Sequence, residues 1–297
     1  MFREEKPALK PCAFLLLALA CAVAGAAQSA PRMGADQPKP AGVITAQYVE
    51  TGLFCLSGGG GNSVLRLSGM GLLLVDGKTA GNYDELRQRV KKISNQVVRV
   101  VVNTSHYEDH TGTNAKFLAD KTPVLGQQNE KQILASYISP GEKIAPPSNT
   151  YDHDQTLHFG LVEVQLLHPG NARTSGDTVV YFPDKKAVAL GDLYSSAPDP
   201  DYSAGGSLLG WGPALGEVLK LDFTVAVPGN GPLVSRADVE AFKTKVDTLV
   251  SRAAQLVKSG VSKDQLMTQL KTDDLGWKLN FSPEQVDGFY AELSKAK

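Results

Sequence analysis

The chain has 297 residues, of which 42% are hydrophobic and 21% charged. That excludes a disulfide-stapled miniprotein and a disordered chain, and it leaves room for one large domain or two ordinary ones. Lys and Arg total 30 and Asp and Glu 31, a formal charge of -1, so composition offers neither a nucleic-acid footprint nor a polybasic membrane anchor.

The first residues read as an address. Arg3, Lys6 and Lys10 precede CAFLLLALACAVA at 12–24, an uncharged run shorter than the roughly 20 apolar residues that span a bilayer. Small residues follow at Ala24 to Ala27. This pattern predicts a secretory signal over 1–26, cleaved after Ala26 or Ala27. An uncleaved anchor and a lipoprotein signal ending at Cys21 are the alternatives; Ala18 stands where the second expects Leu. The expected location is periplasmic or secreted, with no membrane contact after cleavage. Cys12 and Cys21 leave with the signal, so Cys55 remains alone and reads as a buried small hydrophobe. Residues 27–41 are rich in Pro, Gly and polar groups and predict a flexible linker. Residues 42–297 predict one domain with a C-terminal helical tail.

From Gly42 short apolar runs alternate with glycines: ITAQYV, GLFCLS, SVLRLS and GLLLVDG are expected strands. Gly58 to Gly61 lack the spacing of a phosphate loop and read as a hairpin turn. Residues 79–92 have helical spacing, with Leu86 and Val90 on one face. QVVRVVVN at 96–103 is a near-continuous β-branched run and predicts a strand buried on both faces. A polar loop follows at 104–113, then a helix start at 114–118. In the second half TLHFG, LVEVQLLH, TVVYFP and AVALGD are expected strands, 207–219 a helix, and FTVAVPG another buried strand. Ser235 with Asp238 forms a capping box for a helix to about Lys258, which Gly260 stops. Ser262 is a cap for a short helix to Leu270, and Ser282-Pro283-Glu284-Gln285 is a helix start. Two β-rich halves flanked by helices suggest sheets packed face to face with helices outside.

The chemistry concentrates in NTSHYEDHTGTN at 103–114. His106, Glu108, Asp109 and His110 cluster at the end of a buried strand, where a metal or catalytic site and a polar turn are both open readings. Asp152-His153-Asp154, His158 and His168 read as surface or packing residues. No Gly-x-Ser-x-Gly elbow supports a serine hydrolase.

Three later stretches follow in order: GNARTSGDTVVYFP at 170–183, ALGDLY at 189–194 and VPGNGPL at 227–233. Together with 103–114 they resemble the motifs of the metallo-β-lactamase fold superfamily. Those motifs are a His-x-His-x-Asp-His loop, a Gly-x-x-His-Thr-x-Gly-Asp segment, a Gly-Asp strand end and a Pro-Gly-His-Gly-Pro loop. The resemblance runs from about Val43 to Leu233, includes Gly205-Gly206-Ser207 to Trp211, and extends to the helical tail. It implies an α+β fold, a four-layer αββα sandwich with the site between its halves.

The departures matter as much as the match. Where the family places three first-zinc histidines, this chain has Ser105, Tyr107 and Arg173. At the second metal Asp109, His110 and the bridging Asp192 match, while Asn230 replaces the last His. Ser is a poor neutral ligand, Tyr must first lose a proton, and Arg has no lone pair to give. His106 falls on the variable middle position. The resemblance thus implies an exported metallo-hydrolase-like protein with a degenerate zinc site, a pseudoenzyme candidate that binds an unknown small molecule and no nucleic acid. Its cofactor is none or one divalent metal, zinc by resemblance, on Asp109, His110, Asp192 and a carbonyl from Asn230. In the expected metal-free state Arg173 pairs with Asp109 or Asp192 and supplies the missing charge. The alternative is a mononuclear metal-dependent hydrolase of an ester or amide, with one metal on Asp109, His110 and Asp192 and Tyr107 or Arg173 stabilising the oxyanion. A third reading is metal-free acid–base catalysis by Asp109 and His110.

Overall fold

A computed structural model of the chain describes residues 42–137 and 143–296. The expected signal (1–26) and linker (27–41) lie outside the described residues.

The first sheet holds seven strands in sequence order: β1 (Thr45–Glu50), β2 (Leu53–Ser57), β3 (Ser63–Ser68), β4 (Gly71–Val75), β5 (Val98–Val102), β6 (Val124–Gln127) and β7 (Asn149–Tyr151). β1 to β4 pair antiparallel as hairpins, and β4 to β7 pair parallel. The parallel pairs need crossovers. These include α1 (Tyr83–Ile93), α2 (Glu108–Thr111), α3 (Asn114–Ala119) and α4 (Gln128–Ser136). The second sheet holds six strands. β8 (Gln155–Phe159), β9 (Val162–Leu167), β10 (Val179–Phe182) and β11 (Ala187–Gly191) run antiparallel, β12 (Val225–Pro228) joins β11 in parallel, and β13 (Val234–Ser235) closes the edge.

Strand periodicity makes the layers. On β4, Leu73 and Val75 face the second sheet, while Leu72 and Leu74 pack under Leu86 and Val90 of α1 and Phe117 of α3. On β10, Val180 and Phe182 join the inter-sheet core, and Val179 and Tyr181 face outward. There they meet α5 (Leu208–Val218), α6 (Arg236–Lys258), α7 (Lys263–Gln269) and α8 (Pro283–Lys295). The result is the expected αββα order. Both predicted capping boxes are present, on Ser235 with Asp238 and on Ser282 with Gln285. Ser262 precedes α7 but makes no side-chain cap. Cys55 is buried in the inter-sheet core.

Two features differ from the sequence reading. β5 is buried only at Val101 and Val102; Arg99 is exposed, and Val98 and Val100 are half-buried. Its first residues lie beside the β3–β4 turn, where solvent reaches the sheet end. The predicted polar loop after β5 contains the single turn of α2.

Candidate functional site

Four strand ends deliver the site. β4 leads into Asp76, and β5 leads through Asn103 to Tyr107 into α2. β11 ends at Gly191 before Asp192, and β12 ends at Pro228 before Gly229 and Asn230. Because β11 and β12 are parallel with Gly191 opposite Pro228, Asp192 and Asn230 emerge side by side. The Gly229 N–H donates to the Gly191 carbonyl at 2.7 Å and locks the two loops.

His110 is the centre and is fully buried. Its Nδ1 bonds Asp76 Oδ2 at 2.8 Å. Its Nε2 faces Asp192 Oδ1 at 3.4 Å and Asp109 Oδ2 at 3.6 Å. Burial opposes a charged imidazole, but the carboxylates of Asp109, Asp76 and Asp192 outweigh it and hold His110 well above its ordinary pKa. For Asp192 burial likewise works against ionisation. The charges of His110 and Arg173 and the hydroxyl of Ser105 overcome it, and the carboxyl falls to about 2. Asn230 Nδ2 donates to Asp109 Oδ2 at 3.0 Å.

Arg173 enters from the loop between β9 and β10. Its Nε lies 3.7 Å from Asp192 Oδ2, and its Nη1 donates to the carboxylate and carbonyl of Asp199 at 2.6 and 2.7 Å. The guanidinium sits 4.8 Å from the centre of the Tyr107 ring. Tyr107 in turn donates its hydroxyl to Asp201 Oδ2 at 3.0 Å. Burial pushes the Tyr107 phenol up, with Asp201 and Asp192 adding to it against Arg173, so it stays protonated. Ser105 is buried beside Asp192. His106 stacks on Tyr107 with ring centres 4.1 Å apart and meets the edge of Tyr137. Neither of its ring nitrogens has a protein hydrogen-bond partner. Burial lowers its pKa to about 4, so it is neutral.

The structure brings Tyr107, Asp109, His110, Arg173, Asp192 and Asn230 into one cleft, with partners the sequence did not indicate. Of the two acids expected for Arg173, the structure pairs it with Asp192; Asp109 is taken by Asn230, and Asp199 is an addition. Asp76 was read only as a strand end. The glycine run is a hairpin turn, and it also floors the site. The Gly61 N–H donates to the Asp109 carbonyl at 3.1 Å, and a Cβ on Gly61 would stand 2.9 Å from the His110 ring. Asn62 clamps the opposite loop through the Pro228 and Gly231 carbonyls. Lys78 is wholly buried and donates to the Leu56 and Gly61 carbonyls; burial lowers its pKa to about 8. A lone Asp or Lys beside a glycine carries no local sequence signal of such roles.

The donor set does not fit a two-zinc centre. The first position needs neutral nitrogen or ionised donors. It holds a guanidinium ion-paired to Asp192, a protonated phenol engaged with Asp201, and a serine. Among the described residues no group of three or more His, Cys, Asp or Glu is arranged to hold a metal ion. The remaining histidines stand apart. His153 and His158 are exposed, as are Asp152 and Asp154, and His168 Nδ1 bonds the Asp177 carbonyl at 2.8 Å.

Comparison with known proteins agrees with this architecture. A metallo-β-lactamase from Pontibacter korlensis superposes with a TM-score of 0.62 at 19% identity, covering 69% of this chain and 99% of that one. The DIM-1 metallo-β-lactamase gives 0.60 at 18% identity, covering 69% and 97%. The chain thus has the metallo-β-lactamase fold. Among curated proteins, 194 residues are 25% identical to the type 2 metallo-β-lactamase of Bacillus cereus, covering 64% of this chain and 74% of that protein. A stretch of 168 residues is 26% identical to the 2,4-dinitroanisole O-demethylase subunit alpha of Nocardioides sp. strain JS1661, covering 56% of this chain and 51% of that subunit. The match therefore spans about half the length of that relative. No family model matches the chain.

Proposed function

We propose that this chain uses the metallo-β-lactamase cleft without a two-zinc centre, as an exported, non-hydrolytic or strongly altered protein that binds a small molecule. One observation carries the reading: the Arg173 guanidinium lies 3.7 Å from Asp192, in the motif position of an imidazole ligand. There it supplies positive charge to the bridging carboxylate, and Asn230 supplies a donor to Asp109. A buried carboxylate needs such partners. One cause then accounts for several substitutions at once.

A second reading has its own support. His110 Nε2 faces Asp109 and Asp192 at 3.6 and 3.4 Å while Asp76 steadies its other nitrogen. In this reading Asp109, His110 and Asp192, which are not arranged as a metal site here, would have to shift together with Asn230 to hold one divalent ion, which would supply Lewis-acid and water-activating chemistry to an ester or amide hydrolase. In that reading Tyr107 or Arg173, released from Asp201 or Asp199, would stabilise the oxyanion.

Metal analysis of the purified protein separates the two. The first reading expects well under one equivalent of zinc. It also expects the combined variant Ser105→His, Tyr107→His, Arg173→His and Asn230→His to gain zinc. A full equivalent of tightly held metal in the native protein, with chelator-sensitive ester hydrolysis, establishes the second reading and overturns the first.

A further inference from the structure

The even net charge of the chain hides a local imbalance at the end of the sandwich opposite the site. β4 begins at that end with Gly71 and reaches the site beyond Val75; β5 begins there with Val98 and reaches it beyond Val102. Met70 in the β3–β4 turn, Val97 before β5 and Leu161 in the β8–β9 turn are 60%, 58% and 104% exposed. These tips are neighbours. Arg99 Nε donates to the Met70 carbonyl at 3.2 Å, and the Val97 carbonyl accepts the Leu72 N–H at 2.9 Å. Met70 Sδ would lie 3.5 Å from a Cβ on Gly160, the residue before Leu161.

Beside the tips opens a cleft of about 840 Å³ lined by Arg87, Lys91, Arg99 and Lys121. Arg87 is engaged by Asp120 at 2.7 Å. Among the described residues Lys91, Arg99 and Lys121 enter no ion pair. Uncompensated cations beside projecting apolar side chains form a combination that water does not favour at the apolar tips and that an anion would complete.

We propose that this end is a docking surface for an anionic lipid bilayer. Met70, Val97 and Leu161 enter the headgroup layer, and Lys91, Arg99 and Lys121 pair with lipid phosphates. The shape of the surface selects this partner. Single side chains on separate turns offer no continuous face to a folded protein, whereas a fluid interface accepts each tip on its own. Docking in this way turns the cleft at Asp109 and Asp192 away from the bilayer and toward solution. The proposal is independent of what the cleft binds and replaces the sequence expectation of no membrane contact.

The test is sedimentation of the full chain with phosphatidylcholine vesicles, with and without about 30% phosphatidylglycerol. Binding is expected only with phosphatidylglycerol, and it weakens as salt rises from about 0.05 to 0.5 M. The variant Lys91→Glu, Arg99→Glu, Lys121→Glu should lose about tenfold or more in affinity. The variant Met70→Ser, Val97→Ser, Leu161→Ser should lose a comparable factor with its charge intact. Equal binding to both vesicle types, binding unchanged in both variants, or no binding at all overturns the proposal. The first two results would assign membrane contact to the apolar N-terminal run instead.

Discussion

Asp76 has a φ of 58°, in the left-handed region that non-glycine residues enter at a cost. Aspartate tolerates that region better than most, and the surroundings hold it there. Its carboxylate accepts the Thr104 N–H and hydroxyl at 2.7 and 2.6 Å and His110 Nδ1 at 2.8 Å. The strained turn thus aims one acid at β5 and at the central histidine together. His106, stacked on Tyr107, makes a stability prediction. Its folded pKa of about 4 lies below the ordinary histidine value. Between those values the unfolded chain takes up a proton that the native chain refuses, so stability falls as pH drops from about 6.5 toward 4. His106→Phe keeps a ring in the same packing and should flatten that part of the pH dependence of Tm. An unchanged slope between pH 7 and 4 would refute the assignment.

Elements carry the loops that hold Arg173 in place. α8 was expected to be a packing helix, and Phe289 and Leu293 bury its inner face in the core. Its first turn does more. Gln285 accepts the Ser282 N–H in the capping box, and its Nε2 donates to Asp199 Oδ1 at 2.6 Å and to the Pro200 carbonyl at 3.0 Å. Asp199 passes its other oxygen to Arg173. Ser282→Ala removes the acceptor of the Gln285 N–H and should cost about 1 kcal/mol, read by denaturant or thermal unfolding. A loss below the error of the measurement would show that α8 is held by packing alone. Some elements were not legible. β6 and β7, reading VLGQ and NTY, are too short to display a period, and α4 between them has little apolar contrast. Longer runs, such as GLLLV of β4 and the twenty-three residues of α6, declared themselves by their spacing.

At the scale of the molecule, the two sheets hold each other through one apolar layer. Leu166 of β9 is fully buried among Val180, Leu125 and their neighbours in that layer. Leu166→Ala should destabilise by about 2–5 kcal/mol because the sheets cannot close around the space. Chemical denaturation checks this, and a cost below about 1 kcal/mol would mean the layer relaxes freely. The sequence by itself determined the longer elements and the capping boxes, and its motifs gave the expectation of an αββα order. All of these are written in local periodicity or in short motifs. Only the tertiary structure decided which charge meets which. Asp76 reaches His110 across 34 residues, Asn230 reaches Asp109 across 121, and Arg173 divides itself between Asp192 and Asp199. Coulombic and hydrogen-bond energies depend on distance in space, and those distances exist only once both sheets have closed.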